Sequence, residues 1–121
     1  MVTLSKVRRG CIHWVDFDPA IGSEQGKKRP ALVIQNNLGN LTADTTIVIP
    51  ITSQVPLRSY PMHVALSVQG KPSVILCEQI RTVSLERVDP KLIMELSPDL
   101  MAQVENAIRH SLGLSEETGG L

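Results

Sequence analysis

The stretch WVDFDPAIGSEQGKKRPALVIQNN, residues 14–37, combines most of two predicted strands with the loop that joins them. The first strand, at 10–17, is rich in β-branched and aromatic residues and ends at an aspartate–proline pair, which is typical of turns. The second, PALVIQNN at 30–37, is aliphatic. The polar segment 18–28 between them is longer than a hairpin connection needs. Long loops of this kind more often serve function than structure, so we expect a functional loop here.

Further segments toward the C-terminus have the β-branched and aliphatic composition of short strands. They are TTIVIPIT (45–52), HVAL (63–66), SVILCEQI (73–80), a segment around 81–84 and a weaker candidate at 91–96. Residues that favour turns separate them. These separators are Gly39-Asn40, the loop 53–61 with its two prolines, and Gly70-Lys71-Pro72.

Residues 97–113 have the pattern of one amphipathic helix of about four turns. Ser97 supplies an N-cap hydroxyl, Pro98 suits the first helical position, and Gly113 is available as the C-cap residue. Apolar residues recur between them at helical spacing: Leu100, Val104, Ala107, Ile108 and Leu112. Many short strands, long loops and one terminal helix predict a mainly β (α+β) fold, a small, strongly curved β-barrel with a C-terminal α-helix.

The length of 121 residues allows one domain with one hydrophobic core. We expect that domain to occupy 1–114 and the polar, glycine-rich tail 115–121 to be frayed. The chain has 12 basic and 12 acidic residues, so nucleic acid could be bound only through a local basic patch. No apolar run approaches the ~20 residues of a membrane span, and the N-terminus lacks the apolar region of a secretory signal. We therefore expect a cytoplasmic protein that contacts no membrane.

The sequence offers little support for metal, thiol or cofactor chemistry. Cys11 and Cys77 are predicted to be buried free thiols rather than a disulfide. The three histidines are scattered, without the spacing of a metal site. Asp16 and Asp18 would share one face of a strand, which leaves a weak Mg²⁺ site open, although turn and strand-end roles are favoured. We expect no metal and no cofactor.

The highest local density of positive charge inside the body of the chain is Lys27-Lys28-Arg29, where the long loop runs into a strand. Pro30 biases Arg29 toward an extended conformation. Thr52 ends the predicted strand 45–52 and would reach the same rim of the sheet if the two strands pair antiparallel. An arginine fork and a hydroxyl at one place would form a phosphate site. The alternative is a solvated basic loop end.

Four sequence blocks in the same order resemble the MazF/PemK family of toxins: WVDFDPAIGSEQGKKRPALVIQNN, IVIPITSQ, YPMHVAL and SVILCEQIRTV. The resemblance continues into the terminal helix and covers nearly the whole chain. It implies a twisted, SH3-like β-barrel that assembles as a homodimer. It also implies a metal-independent endoribonuclease that cuts single-stranded RNA at short sequences and arrests translation. The implied partner is a cognate antitoxin with an acidic C-terminal segment.

Carried over residue by residue, the resemblance implies that Arg29 and Thr52 are catalytic. It implies RNA contacts for Phe17, Glu24, Ser53, Gln54, Glu78 and Gln79, and the basic run adds Lys28 to the candidate RNA-binding residues. The implied reaction is attack of a ribose 2′-hydroxyl on the adjacent phosphorus, which yields a 2′,3′-cyclic phosphate and a 5′-hydroxyl. A guanidinium suits the stabilisation of the phosphorane, and a threonine hydroxyl suits a hydrogen bond to the phosphate or the 2′-hydroxyl. The general base is left open, and His13 with His63 is the conventional alternative.

Two other functions fit a barrel of this kind, because fold alone does not fix function. A CcdB-type toxin shares the fold and poisons DNA gyrase without catalysis, through a C-terminal end similar to Trp-Gly-Ile. This chain has no tryptophan after Trp14. A non-enzymatic nucleic-acid-binding barrel is the other alternative, and it would retard RNA without cutting it.

Overall fold

The computed structural model describes residues 7–55 and 60–114. The strands and helices in chain order are β1 (Cys11–Asp16), β2 (Lys28–Val33), α1 (Asn37–Thr42), β3 (Thr45–Thr52), β4 (His63–Val68), β5 (Lys71–Leu76), β6 (Arg81–Ser84), β7 (Val88–Glu95) and α2 (Pro98–Leu112). A short 3-10 turn, Leu85–Arg87, joins β6 to β7. The expected tail at 115–121 lies outside the described residues. The predicted mainly β fold with a C-terminal helix is confirmed.

The strands form one antiparallel sheet in the order β4-β5-β3-β2-β1-β7, with β6 paired to β3 beside this path. Besides β2, strand β3 has two further partners along its length: Thr45–Val48 pairs with β6, and Ile51–Thr52 pairs with β5. Because β3 is shared in this way, the sheet divides at its middle and curls into a half-barrel. The two ends of β3 therefore lie beside different strands.

Both faces of the central strands are buried. On β2, Leu32 belongs to a core cluster that includes Val104 and Ala107 of α2. Its neighbours Ala31 and Val33 belong to a second cluster on the other face. Successive side chains of a strand point to opposite faces, so a strand that is covered on both sides needs a continuous apolar run. This explains the aliphatic run at 31–33 of β2 and the largely aliphatic run at 47–51 of β3.

Helix α2 begins and ends where the sequence predicted. The Ser97 hydroxyl accepts a hydrogen bond from the Leu100 N–H at 3.2 Å, and Gly113 adopts the left-handed conformation at φ +70°. These two caps satisfy backbone groups that a helix leaves without partners at its ends. Among the described residues, neither helix is long and apolar enough to cross a membrane.

The turn expected at Gly39-Asn40 is wrong, because these residues lie inside α1. The side chain of Asn36 caps this helix by accepting a hydrogen bond from the Gly39 N–H at 2.8 Å. Asn40 is buried, and its side-chain oxygen accepts a hydrogen bond from the Thr46 hydroxyl at 2.8 Å. The polar residues that indicated a turn therefore cap a short helix and anchor it to β3.

Three predicted strand boundaries are also wrong. The strand predicted at 30–37 ends at Val33, before the cap of α1. The strand predicted at 73–80 ends at Leu76, because the Gln79 N–H donates back to the Leu76 carbonyl in a turn. The last strand extends well before 91–96 and begins at Val88. The turn that follows Leu76 carries two of the candidate RNA-binding residues, Glu78 and Gln79.

The connection predicted at Gly70-Lys71-Pro72 lies one residue earlier. Strands β4 and β5 are joined by a two-residue turn, Gln69-Gly70, with φ values of +52° and +82°. Two positive φ values are typical of the hairpin turn whose twist matches that of the strands it joins. Lys71 is therefore the first residue of β5 rather than part of the turn.

We predict that Asn40→Ala lowers the free energy of unfolding by about 2–3 kcal/mol, because buried polar groups lose their partners. The Thr46 hydroxyl would lose its acceptor, and the carbonyl of Gln35 would lose the donor that now lies 3.0 Å away. Urea denaturation measures the change. The matched control is Leu41→Ala on the same helix, where the side chain is 54% exposed and the change should be within ~0.5 kcal/mol. Equal stabilities of the two variants would contradict the prediction.

Candidate active site

The pairing of β2 with β3 brings the predicted phosphate-binding residues to one place. The register joins Ala31 to Pro50 and Leu32 to Ile49. Continued by two residues, the same antiparallel register sets Arg29 opposite Thr52. On its other side, Arg29 pairs with Val15 of β1. The guanidinium and the hydroxyl therefore arise from neighbouring strands at the same rim of the sheet.

Arg29 and Thr52 line one cavity of about 330 Å³, which we call the Arg29 cavity. This volume lies within the range of small-ligand sites. The lining residues are Trp14, Lys27, Lys28, Arg29, Pro30, Ile51, Thr52, Ser53, Gln54, Val68, Gln69, Lys71 and Ser73. Four of these described residues are cationic and none is acidic. A chain without net charge thus carries a concentrated basic site.

The Arg29 side chain is held by the loop that precedes it. Its Nε–H donates a hydrogen bond to the Gly26 carbonyl oxygen at 2.8 Å. Within 7–55 and 60–114, no hydrogen bond or ion pair engages its two terminal nitrogens. The hydrogen bond to Gly26 therefore fixes the guanidinium. It leaves the two terminal nitrogens available, which are the donors with which an arginine can bind two phosphoryl oxygens at once.

Thr52 is the last residue of β3 and is buried. Its hydroxyl oxygen accepts a hydrogen bond from the Gln54 N–H at 3.1 Å, which leaves the hydroxyl proton for another acceptor. Ser53 and Gln54 follow it as exposed residues. Arg29 and Thr52 thus both keep hydrogen-bond donors available in this cavity.

The loop between β1 and β2 is closed by its own polar groups. The Asp18 carboxylate accepts a hydrogen bond from the Lys27 N–H at 2.6 Å, and the Phe17 N–H donates to the Lys27 carbonyl at 2.9 Å. The Asp16 carboxylate accepts from the Asp18 N–H at 3.0 Å. Both aspartates thus have the turn role that the sequence favoured. No group of three or more His, Cys, Asp or Glu side chains in the described part of the chain could hold a metal ion.

Gly26 is required at its position in this loop. A Cβ atom there would lie 2.7 Å from the Asp18 carboxylate oxygen and 2.9 Å from the Ala20 Cβ. Both distances are shorter than side-chain atoms tolerate, so any larger residue must shift Asp18 or Ala20. The carbonyl that holds Arg29 thus belongs to a residue with no room for a side chain.

A second cavity of about 640 Å³ is lined in part by the same loop, and we call it the Gln79 cavity. It is lined by Phe17, Pro19, Ile21, Ser23, Glu24, Gln25, Pro50, Glu78, Gln79, Ile80 and Arg81. The candidate RNA-binding residues therefore divide into two groups. Lys28, Ser53 and Gln54 share the Arg29 cavity with the candidate catalytic pair, whereas Glu24, Glu78 and Gln79 line the Gln79 cavity.

Phe17 is placed differently from what a base-stacking role requires. Its side chain is 1% exposed and belongs to the second core cluster. The Arg81 guanidinium carbon lies 5.5 Å from the ring centroid, and its Nη1 donates to the Phe17 carbonyl at 3.1 Å. In this conformation the ring presents no face to a base. Phe17 and the half-buried Arg81 both line the Gln79 cavity.

The two histidines considered as an acid–base pair have separate structural partners. His13 is buried, and its Nδ1 lies 2.9 Å from the Asp89 carbonyl oxygen. His63 Nε2 lies 3.2 Å from the Glu78 carboxylate, and its ring meets that of Tyr60 edge-on with centroids 5.1 Å apart. Neither belongs to the described lining of the Arg29 cavity. The structure therefore does not bring them together at the candidate site.

The cysteines are buried free thiols, as predicted. Burial, followed by the charge of Glu95, raises the pKa of the Cys11 thiol above its usual value. Burial and the charge of Glu78 raise the pKa of Cys77 to about 12. Because the thiolate is the reactive form, both groups are poor nucleophiles near neutral pH.

Some residues of the Arg29 cavity were missed by the sequence reasoning. The hairpin between β4 and β5 contributes Gln69, Lys71 and Ser73, and β1 contributes Trp14. The Ser73 hydroxyl donates to the Lys71 carbonyl at 3.1 Å, which ties the start of β5. The sequence shows Lys71 as a basic residue beside a turn, which alone does not indicate a site. Only the pairing of β5 with the end of β3 reveals that it faces this site.

The fold and this cavity define a small, mainly β protein with a basic cavity at the rim of its sheet. Comparison with known proteins identifies the family. A model of the PemK-like, MazF-like toxins of type II toxin-antitoxin systems matches residues 8–112. A Bacillus subtilis (strain 168) protein named Endoribonuclease EndoA is 42% identical over 112 residues, which cover 89% of this chain and 96% of that protein. The chain belongs to the PemK-like, MazF-like toxin family.

Solved structures agree with this assignment. The crystal structure of MazF (Form-I) from Deinococcus radiodurans matches with a TM-score of 0.76 and 28% identity, over 93% of this chain and 98% of that one. A MazE-MazF complex (Form-III) from the same organism matches with a TM-score of 0.72 and 28% identity, over 90% and 98%. A mycobacterial endoribonuclease in complex with its cognate antitoxin has a TM-score of 0.74 at 20% identity, over 90% and 97%, which supports the fold alone. The expected SH3-like barrel fold of the MazF/PemK family is confirmed.

Proposed function

We propose that this chain is the endoribonuclease toxin of a toxin-antitoxin system and that it cuts single-stranded RNA in the Arg29 cavity. The observation that carries the proposal is the meeting of Arg29 and Thr52 in a cavity with four cations and no acidic residue among its described lining. Such a site favours the phosphodiester backbone of RNA. The relative named Endoribonuclease EndoA, at 42% identity, supports the same activity.

In the proposed reaction, the ribose 2′-oxygen forms a bond to the adjacent phosphorus while the bond from phosphorus to the 5′-oxygen breaks. The 2′-hydroxyl loses its proton, the leaving 5′-oxygen gains one, and the products are a 2′,3′-cyclic phosphate and a 5′-hydroxyl. The terminal nitrogens of Arg29 stabilise the charge that builds on the phosphoryl oxygens. The Thr52 hydroxyl donates a hydrogen bond to the same phosphate. The requirement for a 2′-hydroxyl accounts for RNA rather than DNA as substrate.

The proposed chemistry uses hydrogen-bond donors in place of a metal ion. The described residues provide no cluster of metal ligands, and the described lining of the cavity contains neither a carboxylate nor an imidazole. A guanidinium offers hydrogen-bond donors and no acceptor, so the contribution of Arg29 is charge stabilisation. Activity in the presence of EDTA is part of the proposal.

The proposed partner is a cognate antitoxin with an acidic C-terminal segment. Carboxylates bind the same guanidinium and ammonium donors as phosphate, so such a segment could occupy the Arg29 cavity in place of RNA. The similarity to a toxin crystallised as a MazE-MazF complex supports a partner of this kind. We also propose the homodimer that the family implies, and action in the cytoplasm, where messenger RNA is translated.

We predict that Arg29→Ala lowers the rate of RNA cleavage by about 10²–10³, because a preorganised donor to the transition state is lost. Thr52→Val should lower it by about 10- to 100-fold, which corresponds to one hydrogen bond to a charged group. The measurement is the initial rate on a long unstructured RNA in EDTA, at saturating RNA.

The matched control is Lys91→Ala, an exposed basic residue of β7 outside both cavities, which should cleave at the wild-type rate. Urea denaturation establishes that all three variants are folded. Full-rate cleavage by folded Arg29→Ala would refute the proposal. Retardation of RNA by the wild type without cleavage products would assign a binding role instead.

We further predict that Lys71 contacts a phosphate of bound RNA, since it is the cation that the β4–β5 hairpin contributes to the Arg29 cavity. One contact to single-stranded nucleic acid contributes about 0.7 to the slope of log affinity against log salt concentration. Lys71→Ala should reduce the slope by about this amount, as measured by fluorescence anisotropy with an RNA that carries a 2′-O-methyl group at the cleavage site. Lys91→Ala is again the control, and an equal slope in both variants would remove Lys71 from the phosphate path.

A further inference from the structure

Two hydrogen bonds connect the Gln79 cavity to the Arg29 cavity through adjacent residues of one loop. The side-chain oxygen of Gln79 accepts a hydrogen bond from the Gln25 N–H at 3.1 Å. The carbonyl of the next residue, Gly26, accepts the hydrogen bond from Arg29 Nε at 2.8 Å. A side chain of one cavity therefore holds the piece of backbone that holds the guanidinium of the other.

The geometry of this loop allows a displacement at Gln25 to reach Gly26. Gly26 is packed so closely that its hydrogens face the Asp18 carboxylate and the Ala20 methyl group. The next residue, Lys27, has φ +64° and donates its N–H to the Asp18 carboxylate at 2.6 Å. The hydrogen bond from Lys27 to Asp18 fixes the backbone after Gly26, and the hydrogen bond from Gln25 to Gln79 fixes the backbone before it. Loss of that bond releases one end of the segment.

We propose that Gln79 is a positioning residue for Arg29 and acts through the Gln25–Gly26 peptide segment. This inference rests on the proposed function and extends it. Gln79 then affects the rate of the chemical step, in addition to any contact that it makes with a base. Its amide nitrogen has no hydrogen bond within the described residues, so a base can bind there while the oxygen keeps the loop in place.

The variants separate this role from simple contact with RNA. Gln79→Met keeps the length of the side chain and removes the acceptor for the Gln25 N–H. Gln79→Glu keeps an acceptor at the same position, because a carboxylate accepts hydrogen bonds. Gln103→Met is the matched control, since Gln103 is exposed on α2 and lines neither cavity.

The first readout is the exchange rate of the Arg29 Nε proton with solvent, measured by NMR on the full chain without RNA. We expect exchange at least about 10-fold faster in Gln79→Met, because the hydrogen bond to Gly26 opens more often. Gln79→Glu and Gln103→Met should exchange at the wild-type rate. Unchanged exchange in Gln79→Met would overturn the proposal, because the Arg29 bond would then not depend on Gln79.

The second readout is the division between kcat and KM on RNA. We expect kcat in Gln79→Met to fall about 10-fold or more, since displacement of a catalytic group by ~1 Å can cost about 10² in rate. Gln79→Glu should restore most of kcat. A rise in KM with unchanged kcat in Gln79→Met would overturn the proposal in favour of a contact to RNA alone. If the wild type cuts no RNA while the exchange contrast is present, the proposed function fails and the link from Gln79 to Arg29 stands.

Discussion

The antiparallel pairing of β2 with β3 is the constraint on which the candidate site depends. Its register, anchored by Ala31 opposite Pro50, extends to place Arg29 opposite Thr52. A shift of this register by one residue would turn every side chain of the strand to the other face. Both faces of these strands are buried, so such a shift would also disrupt two core clusters. The packing that stabilises the half-barrel thus also positions the candidate catalytic groups.

The strand pairing places the site, and local charges together with the β1–β2 loop give the site its character. The chain has equal numbers of acidic and basic residues, yet the described lining of the Arg29 cavity is free of acid. Long-range attraction by net charge is therefore absent, and recognition of an anion depends on local donors. The β1–β2 loop orients these donors: the Gly26 carbonyl accepts a hydrogen bond from the Arg29 side chain, and the Asp18 carboxylate accepts one from the Lys27 N–H.

Much of the fold and the centre of the site could be predicted from the sequence, because local signals determine them. The caps of α2 at Ser97 and Gly113 are examples. Features set by tertiary contacts could not be predicted. The polar residues around Asn40 resemble a turn until Thr46 is seen to anchor them as a helix. The sequence alone does not reveal that Phe17 belongs to the second core cluster. Only the pairing of β5 with β3 brings Lys71 to the cavity.

The central claim is that the Arg29 cavity promotes attack by a ribose 2′-hydroxyl on its own 3′-phosphate. The most direct measurement uses an RNA with a single 2′-deoxy nucleotide on the 5′ side of the mapped cleavage site, with mass spectrometry of the fragment ends. The account predicts that the all-ribose RNA gives 2′,3′-cyclic phosphate and 5′-hydroxyl ends and that the substituted RNA stays intact at this position. Cleavage of the substituted RNA at the same rate would contradict it, because the nucleophile would then come from elsewhere.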